Sequence, residues 1–261
     1  MTPVTVPRET TTQRRTLLLA AVRGGEGSIG QLADQFGVSS STIRRDLAEL
    51  AREGHIIRTY GGALDTAHSV ERTLREKDAI NAEEKDAVAR AAAELVRDGE
   101  VVLLDAGTTT GRLARHLADR SNLTVVTNGL SVLLALADSP HIEVIVLGGR
   151  LRYPNEAILG ATVEQQLRHI TPDRVFLGAD GVGAQHGVCS PTWEQAQLKY
   201  AMLHAGVESY VLVDHSKLDY TPFTYWSPLD RAHTLVVDDH DPGALENFPS
   251  AGLRRLLPVR V

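Results

Sequence analysis

Cysteine is almost absent from this chain: Cys189 is the only one in 261 residues. A single thiol excludes an internal disulfide framework and a cysteine-rich zinc site, and it fits a reducing cytoplasm. Long apolar runs are also missing. The stretch 17–22 is too short to span a bilayer and is followed by Arg23. The opening MTPVTVPRETTTQRR has no apolar core of the signal-peptide kind. A cytoplasmic protein without a membrane segment is therefore expected. The ten histidines show no metal-ligand spacing, and neither a Walker loop nor a dinucleotide fingerprint occurs, so no metal and no cofactor is expected. No internal repeat and no low-complexity tract is visible. Positive charge is not in excess overall: the net is −6.

What is there is unevenly distributed. Residues 14–60 carry seven arginines against five acidic residues, so the acidic balance lies entirely in the rest of the chain. A mildly basic head on an acidic body is compatible with nucleic-acid contact by the head alone. Residues 1–12 are rich in Thr and Pro and read as a disordered tail. Helices are expected at 13–23, ended by Gly24-Gly25, and from a cap at Ser28 to Gln35, ended by Gly37. A third helix follows from a cap at Ser39 or Ser40 to about Glu53, stopped by Gly54. On that third helix Ile43, Leu47 and Leu50 form the inward stripe, which leaves Ser41, Arg45, Ala48 and Arg52 outward and Arg44 on the flank. A short strand at 55–60 and Gly61-Gly62 read as a β-wing. Residues 13–65 thus form a winged helix-turn-helix expected to bind double-stranded DNA.

Such a unit places the start of its second helix against base edges in the major groove. Ser39, Ser40, Ser41 and Thr42 supply hydroxyls and free amides for phosphate. Arg45 is placed to pair with guanine, and Arg44 and Arg58 to reach backbone phosphate.

Residues 66–80 lack a clear period and read as a linker. Asn81-x-x-Glu84 looks like a capping box opening a helix to Val96. From there to about residue 240, short apolar strands alternate with helices. Strands are expected at 101–105, 123–127, 142–147, 174–178, 210–214 and 234–237, and helices at 111–117, 130–137, 162–169 and 193–204. This is the pattern of an α/β domain with a mostly parallel open sheet covered on both faces. Residues 241–261 have no readable role: a packed helix and a loose tail are both open.

In open α/β sheets ligands bind beyond the carboxyl ends of the strands. Five such ends carry small, polar or charged residues: Asp105 with Gly107, Thr108, Thr109 and Thr110; Thr127 with Asn128; Gly149 with Arg150; Asp180; and Lys217. Glu194 opens the helix at 193–204. Amides and cations suit a phosphate, and carboxylates and Asn suit sugar hydroxyls, so the rim describes a phosphorylated sugar. Each residue has a plainer alternative: Asp105 and Asp180 as turn caps, Lys217 as a solvated charge, Glu194 as a partner of the helix dipole, Cys189 as a packed thiol.

The segment VSSSTIRRDLAELAREGHIIRTYGGA resembles the winged-helix signature of the DeoR family of bacterial transcription regulators, through Ser39, Thr42, Ile43, Arg44, Arg45, Asp46 and Leu47. The body is similar to that family's C-terminal effector domain at Arg75 and Lys85, Asp105-Ala-Gly-Thr-Thr, Thr127-Asn128, Gly148-Gly149, Phe176 to Gly181, Glu194, Lys199 with Met202, and Asp214-x-Ser216-Lys217. Tyr60 and Gly160-Ala161 depart from the family's usual His and Gly-Pro. The resemblance implies a repressor of carbohydrate-metabolism genes with a sugar-phosphate effector, and a body similar to the ribose-5-phosphate isomerase and CoA-transferase fold. Three classes remain in view: a ligand-controlled, homo-oligomeric DNA-binding regulator; an isomerase or deaminase using Asp105, Asp180, Glu194 and Lys217; and a DNA-associated protein without a ligand. The fused head favours the first.

Overall fold

The computed structural model describes residues 11–23, 29–52, 56–59, 62–65, 71–231, 233–240 and 253–261. Packing divides the chain into two units, Met1–Val70 and Glu71–Val261. Ser28, Gly24-Gly25, Gly54, Tyr60, Gly61 and most of the expected N-terminal tail lie outside the described residues, as do 66–70 of the expected linker and 241–252.

The first unit holds α1 (Thr11–Arg23), α2 (Ile29–Gln35), α3 (Ser40–Arg52), β1 (Ile56–Thr59) and β2 (Gly62–Asp65). Its core is Leu18, Val22, Leu32, Ala33, Ile43, Leu47, Leu50 and Ile56, so the inward stripe expected on α3 packs against α1 and α2. Gly37 closes α2 in the left-handed region at φ +60°, where a side chain would be strained. Ser39 caps α3, its hydroxyl accepting from the Thr42 amide at 3.2 Å. β1 and β2 pair antiparallel with Thr59 opposite Gly62, so Gly62 belongs to the ladder and not to the turn assigned to it from sequence.

The second unit opens with α4 (Leu74–Asp78) and α5 (Ala82–Ala93). Then come β3 (Val101–Leu104), α6 (Thr108–Leu117), β4 (Leu123–Thr127), α7 (Leu130–Leu136), β5 (Ile142–Val146), β6 (Arg150–Arg152), β7 (Ala157–Leu159), α8 (Ala161–Leu167) and β8 (Arg174–Gly178). They are followed by β9 (Val182–Gly183), β10 (Gly187–Ser190), α9 (Trp193–Ala205), β11 (Glu208–Val213), β12 (Tyr225–Ser227), β13 (His233–Asp238) and β14 (Leu253–Val259). Seven strands form one sheet in the order β14-β13-β11-β8-β3-β4-β5, and every pair in it is parallel. Successive strand residues feed opposite cores. Val102, Leu104, Val125, Tyr210 and Leu212 pack under α5, α6 and α7. Leu103, Val126, Val211 and Val213 pack under α8 and α9. Burial on both faces is why the sequence shows these strands as nearly continuous apolar runs.

Three expectations are corrected. Residues 71–80 are no linker: Leu74 donates its amide to the Pro154 carbonyl at 3.1 Å, and Arg112 pairs with Asp78 at 2.9 Å, so α4 is tied to the body. The capping box is Thr73 with Glu76, whose carboxylate accepts from the Thr73 amide at 2.8 Å. Asn81 instead sits in the left-handed region at φ 49° without a capping bond; its side chain donates to Asp214 at 2.8 Å across the fold. Within 241–261, residues Leu253–Val259 form the edge strand beside β13, neither a helix nor a loose tail.

Candidate functional site

The strand order fixes where a crevice opens. From β3 the chain proceeds outward to β4 and β5, then returns to the other side of β3 as β8. The connections therefore diverge between β3 and β8, and a ligand crevice is expected beyond their carboxyl ends. A cleft lies there, open to solvent at its mouth, with a cavity volume of about 50 Å³. Asp105, Gly107, Thr108 and Thr109 line it from the β3–α6 turn, Asn128 from the end of β4, Asp180 from the end of β8, and Asp214 and Lys217 from the end of β11. Gln195, Leu198 and Lys199 of α9 form one wall, Asn155, Ala157 and Leu159 another, and Leu74, Lys77 and Lys85 a third.

The turn after β3 is built tightly. Asn128 accepts from the Ala106 amide at 3.0 Å and donates to the Ile158 carbonyl at 3.2 Å, tying three segments together. A Cβ on Gly129 would stand 2.8 Å from the Ala106 Cα, so only glycine permits the approach. The first amides of α6 have no acceptor within the helix and carry the positive end of its dipole.

Four lysines and three aspartates alternate around the cleft. Lys199 pairs with Asp105 and also donates to the Gly178 carbonyl at 2.8 Å. Burial pushes the Asp105 carboxyl above the usual range, against the pull of Lys199. Lys77 pairs with Asp180 at 2.6 Å; burial alone would raise the Asp180 pKa, but Lys77 and the neighbouring lysines hold it below the usual range. Asp214 is engaged by Asn81 and by the Ser216 amide at 3.2 Å. Lys85 is 3% exposed, donates to the carbonyls of Lys77 and Ile80 at 2.5 Å each, and is brought down to about 8, chiefly by burial. Lys217 lies 6.0 Å from the Tyr220 ring centroid and has no carboxylate partner among the described residues. With the aspartates committed, the cleft has spare capacity for an anion.

Not every expected rim residue is in it. Thr127 donates to the Leu104 carbonyl at 2.7 Å and accepts from the Gly129 amide at 2.9 Å, so it supports the turn. Thr110 donates back to the Gly107 carbonyl at 3.2 Å. Gly149 packs on the Leu159 carbonyl. Arg150 is exposed and pairs with Glu194 at 3.0 Å on the surface, outside the cleft lining; two charges read separately from sequence satisfy each other. Lys77, Asn155 and Gln195 were not assigned to the site from sequence, and Lys85, Lys199 and Asp214 entered with the resemblance but not as site residues. A lysine on a five-residue helix gives no local signal. Cys189 is fully buried and its thiol is pushed up to about 12 by burial, as suits a packed thiol. Among the described residues no group of three or more His, Cys, Asp or Glu is arranged to hold a metal, and no helix is long and apolar enough to cross a membrane.

In the first unit Ser39, Ser40, Ser41, Arg44 and Arg45 are exposed and Thr42 is half-buried. Ser39 is within hydrogen-bond distance of the hydroxyls of Ser41 (2.8 Å) and Thr42 (2.9 Å), which gathers three hydroxyls at the start of α3. Neither Arg44 nor Arg45 has an ion-pair partner among the described residues, whereas Arg52 is held by Glu49 at 2.5 Å. Arg58 lies on β1, its side chain outside the described residues. Asp46, from the same Arg-Arg-Asp string, is buried and accepts from Arg14 at 2.7 Å and Arg15 at 3.1 Å, so it binds α1 to α3.

Both units match one family. The DeoR-like helix-turn-helix domain aligns with residues 16–68 and the DeoR C-terminal sensor domain with 80–239. The chain belongs to the DeoR family. A putative aga operon transcriptional repressor of Escherichia coli O157:H7 is 34% identical over 95% of this chain and 94% of its own. The glycerol-3-phosphate regulon repressor of Escherichia coli K12 is 33% identical over 88% and 92%. Ribose 5-phosphate isomerase A of Methanocaldococcus jannaschii overlaps 52% of this chain and 54% of its own at TM-score 0.39 and 22% identity, a likeness too slight to bear on the reading. As a DeoR-family protein with repressors for relatives, the chain is a transcriptional regulator and not an enzyme.

Proposed function

We propose that this DeoR-family protein represses carbohydrate-metabolism genes under the control of a phosphorylated sugar held in the cleft of the second unit. It grips double-stranded operator DNA with α3 and the β1–β2 wing, acts in the cytoplasm, and works as a homo-oligomer whose paired heads read repeated half-sites. The observation that carries the reading is the charge arrangement of the cleft. Lys217, Lys85 and the first amides of α6 offer an anion site, while Asp105, Asp180, Asn128 and Asn155 sit where hydroxyls can bond. Repressors named for an aga operon and a glycerol-3-phosphate regulon among the relatives agree with it.

The test is a thermal-shift screen of the full chain against ribose 5-phosphate, glucose 6-phosphate, fructose 6-phosphate, galactosamine 6-phosphate and glycerol 3-phosphate. The matching unphosphorylated compounds and inorganic phosphate serve as controls. A ligand that binds the folded state and not the unfolded one raises its melting temperature, more so as its concentration exceeds Kd. The expected result is a rise with one phosphorylated compound that its unphosphorylated form does not give. No rise with any of them would remove the reading.

A further inference from the structure

Residues 71–81 cross the carboxyl edge of the sheet and are tied to it at five points. Glu71 receives Arg152 of β6 at 2.5 Å. The Leu74 amide reaches the Pro154 carbonyl. Lys77 meets Asp180 at the end of β8. Asp78 meets Arg112 of α6. Asn81 meets Asp214 at the end of β11. Two members of this strap, Leu74 and Lys77, line the cleft. Its first residue, Glu71, is also the first residue of the second unit.

Lys77 stands between two carboxylates. Its ammonium is 2.6 Å from Asp180 Oδ1 and 3.7 Å from Glu71 Oε1. The Glu71 side chain is only 7% exposed, and its Oε1 is buried without a hydrogen-bond partner. A buried carboxylate oxygen without a hydrogen bond is costly, and a short movement of Lys77, already its ion-pair partner at 3.7 Å, would supply one. The same cation faces the cleft, where an anion or a hydroxyl competing for Asp180 would change what holds it.

We propose that the strap transmits occupancy of the cleft: a bound ligand redistributes Lys77 between Asp180 and Glu71, and the Glu71–Arg152 pair carries that change to the point where the chain enters the second unit. The inference rests on the sugar-phosphate reading above and adds the route of regulation. Arg152 also donates to Asn155 at 3.0 Å. The pair is thus joined to the cleft from both sides: Lys77 on one, and Asn155, which lines the cleft, on the other. Neither Glu71 nor Arg152 itself lines the cleft, so their substitution separates transmission from binding.

The experiment uses the full chain, the duplex it selects from a random pool, and the same five phosphorylated compounds. For each protein the Kd for DNA is measured with and without compound by anisotropy, and the Kd for the compound by calorimetry. With the wild type, the active compound is expected to shift DNA affinity about tenfold or more, the usual scale of coupled sites. In Glu71→Gln and Arg152→Gln the compound is expected to bind within about twofold of wild type while the shift falls to about twofold or less. Glu71→Asp, which keeps a carboxylate for both Arg152 and Lys77, is expected to keep more of the shift than Glu71→Gln, a graded response that a merely misfolded variant would not show. Full-size shifts in both single variants would overturn the strap while leaving the sugar-phosphate reading intact. Loss of compound binding in both Glu71→Gln and Arg152→Gln would overturn it too, by making the pair part of the binding site. If no compound bound the wild type, it is the sugar-phosphate reading that would fail.

Discussion

Asp46 shows how much one residue's meaning depends on the fold. In the string Arg44-Arg45-Asp46 three charges stand together, but α3 turns the arginines outward and the aspartate into the core, where Arg14 and Arg15 meet it. Asp46→Asn is expected to cost about 1–3 kcal/mol, since two partly buried guanidinium groups lose a charged acceptor. DNA binding should then weaken alike for selected and unrelated duplexes, because the tilt of α3 is affected and not its base contacts. Chemical denaturation and paired titrations check both halves. Arg45→Ala should do the reverse: unchanged stability, with about 1–3 kcal/mol less discrimination between the selected duplex and a mismatched one. Intact base preference in that variant would remove Arg45 from the reading head.

Lys85 gives a pH dependence of known sign. Burial lowers its pKa from 10.5 to about 8. The folded state therefore releases its proton at lower pH than the unfolded state does. The cost of burying the charge is fully present below about pH 8 and is relieved as pH rises toward 10.5. Ligand binding should move the other way. Above pH 7 a phosphate monoester is already mostly a dianion, so its affinity should fall between pH 7 and 9 as Lys85 loses its charge. Calorimetry across that range should show the fall in the wild type and a flatter profile in Lys85→Met. Equal slopes would exclude Lys85 as the titrating cation.

At the scale of elements, the chain announced what is long and regularly buried. β8, all five residues buried, stands at 174–178 where the apolar run 175–177 put it, and the helices of both units other than α4 lie close to their expected spans. The sheet ends that build the cleft were legible because each apolar run stops at a small or charged residue. The short strands β6, β7, β9, β10 and β12 were not, since two to four residues carry no usable period. β14 was hidden for another reason. It is an edge strand in which Leu256, Leu257 and Val259 are half-buried and Arg255 is exposed, with Pro258 tolerated because only one side is paired among the described residues. Lys77, Asn155 and Gln195 were invisible as site residues because only long-range packing brings them to the cleft. Removing residues 253–261 should expose the free edge of β13. The melting temperature of the second unit is expected to fall by at least about 4 °C, with increased self-association detectable by light scattering. An unchanged melting temperature would mean that β14 adds nothing to the sheet.

For the whole molecule, the account joins two units with separate chemistry: an exposed arginine-bearing helix start in one, a lysine-rich cleft at a sheet switch point in the other. Control requires only that the ligand bind one arrangement of the protein more tightly than another, and the difference in affinity sets the limit on the response. The most direct measurement is a titration of the active sugar phosphate into the protein–operator complex, followed by anisotropy, for the wild type and for Lys217→Ala. The account predicts that both proteins bind the free operator equally, that the sugar phosphate changes the wild-type affinity about tenfold or more, and that Lys217→Ala needs a much higher ligand concentration for the same change. Identical ligand responses in the two proteins, or no response in the wild type, would contradict it.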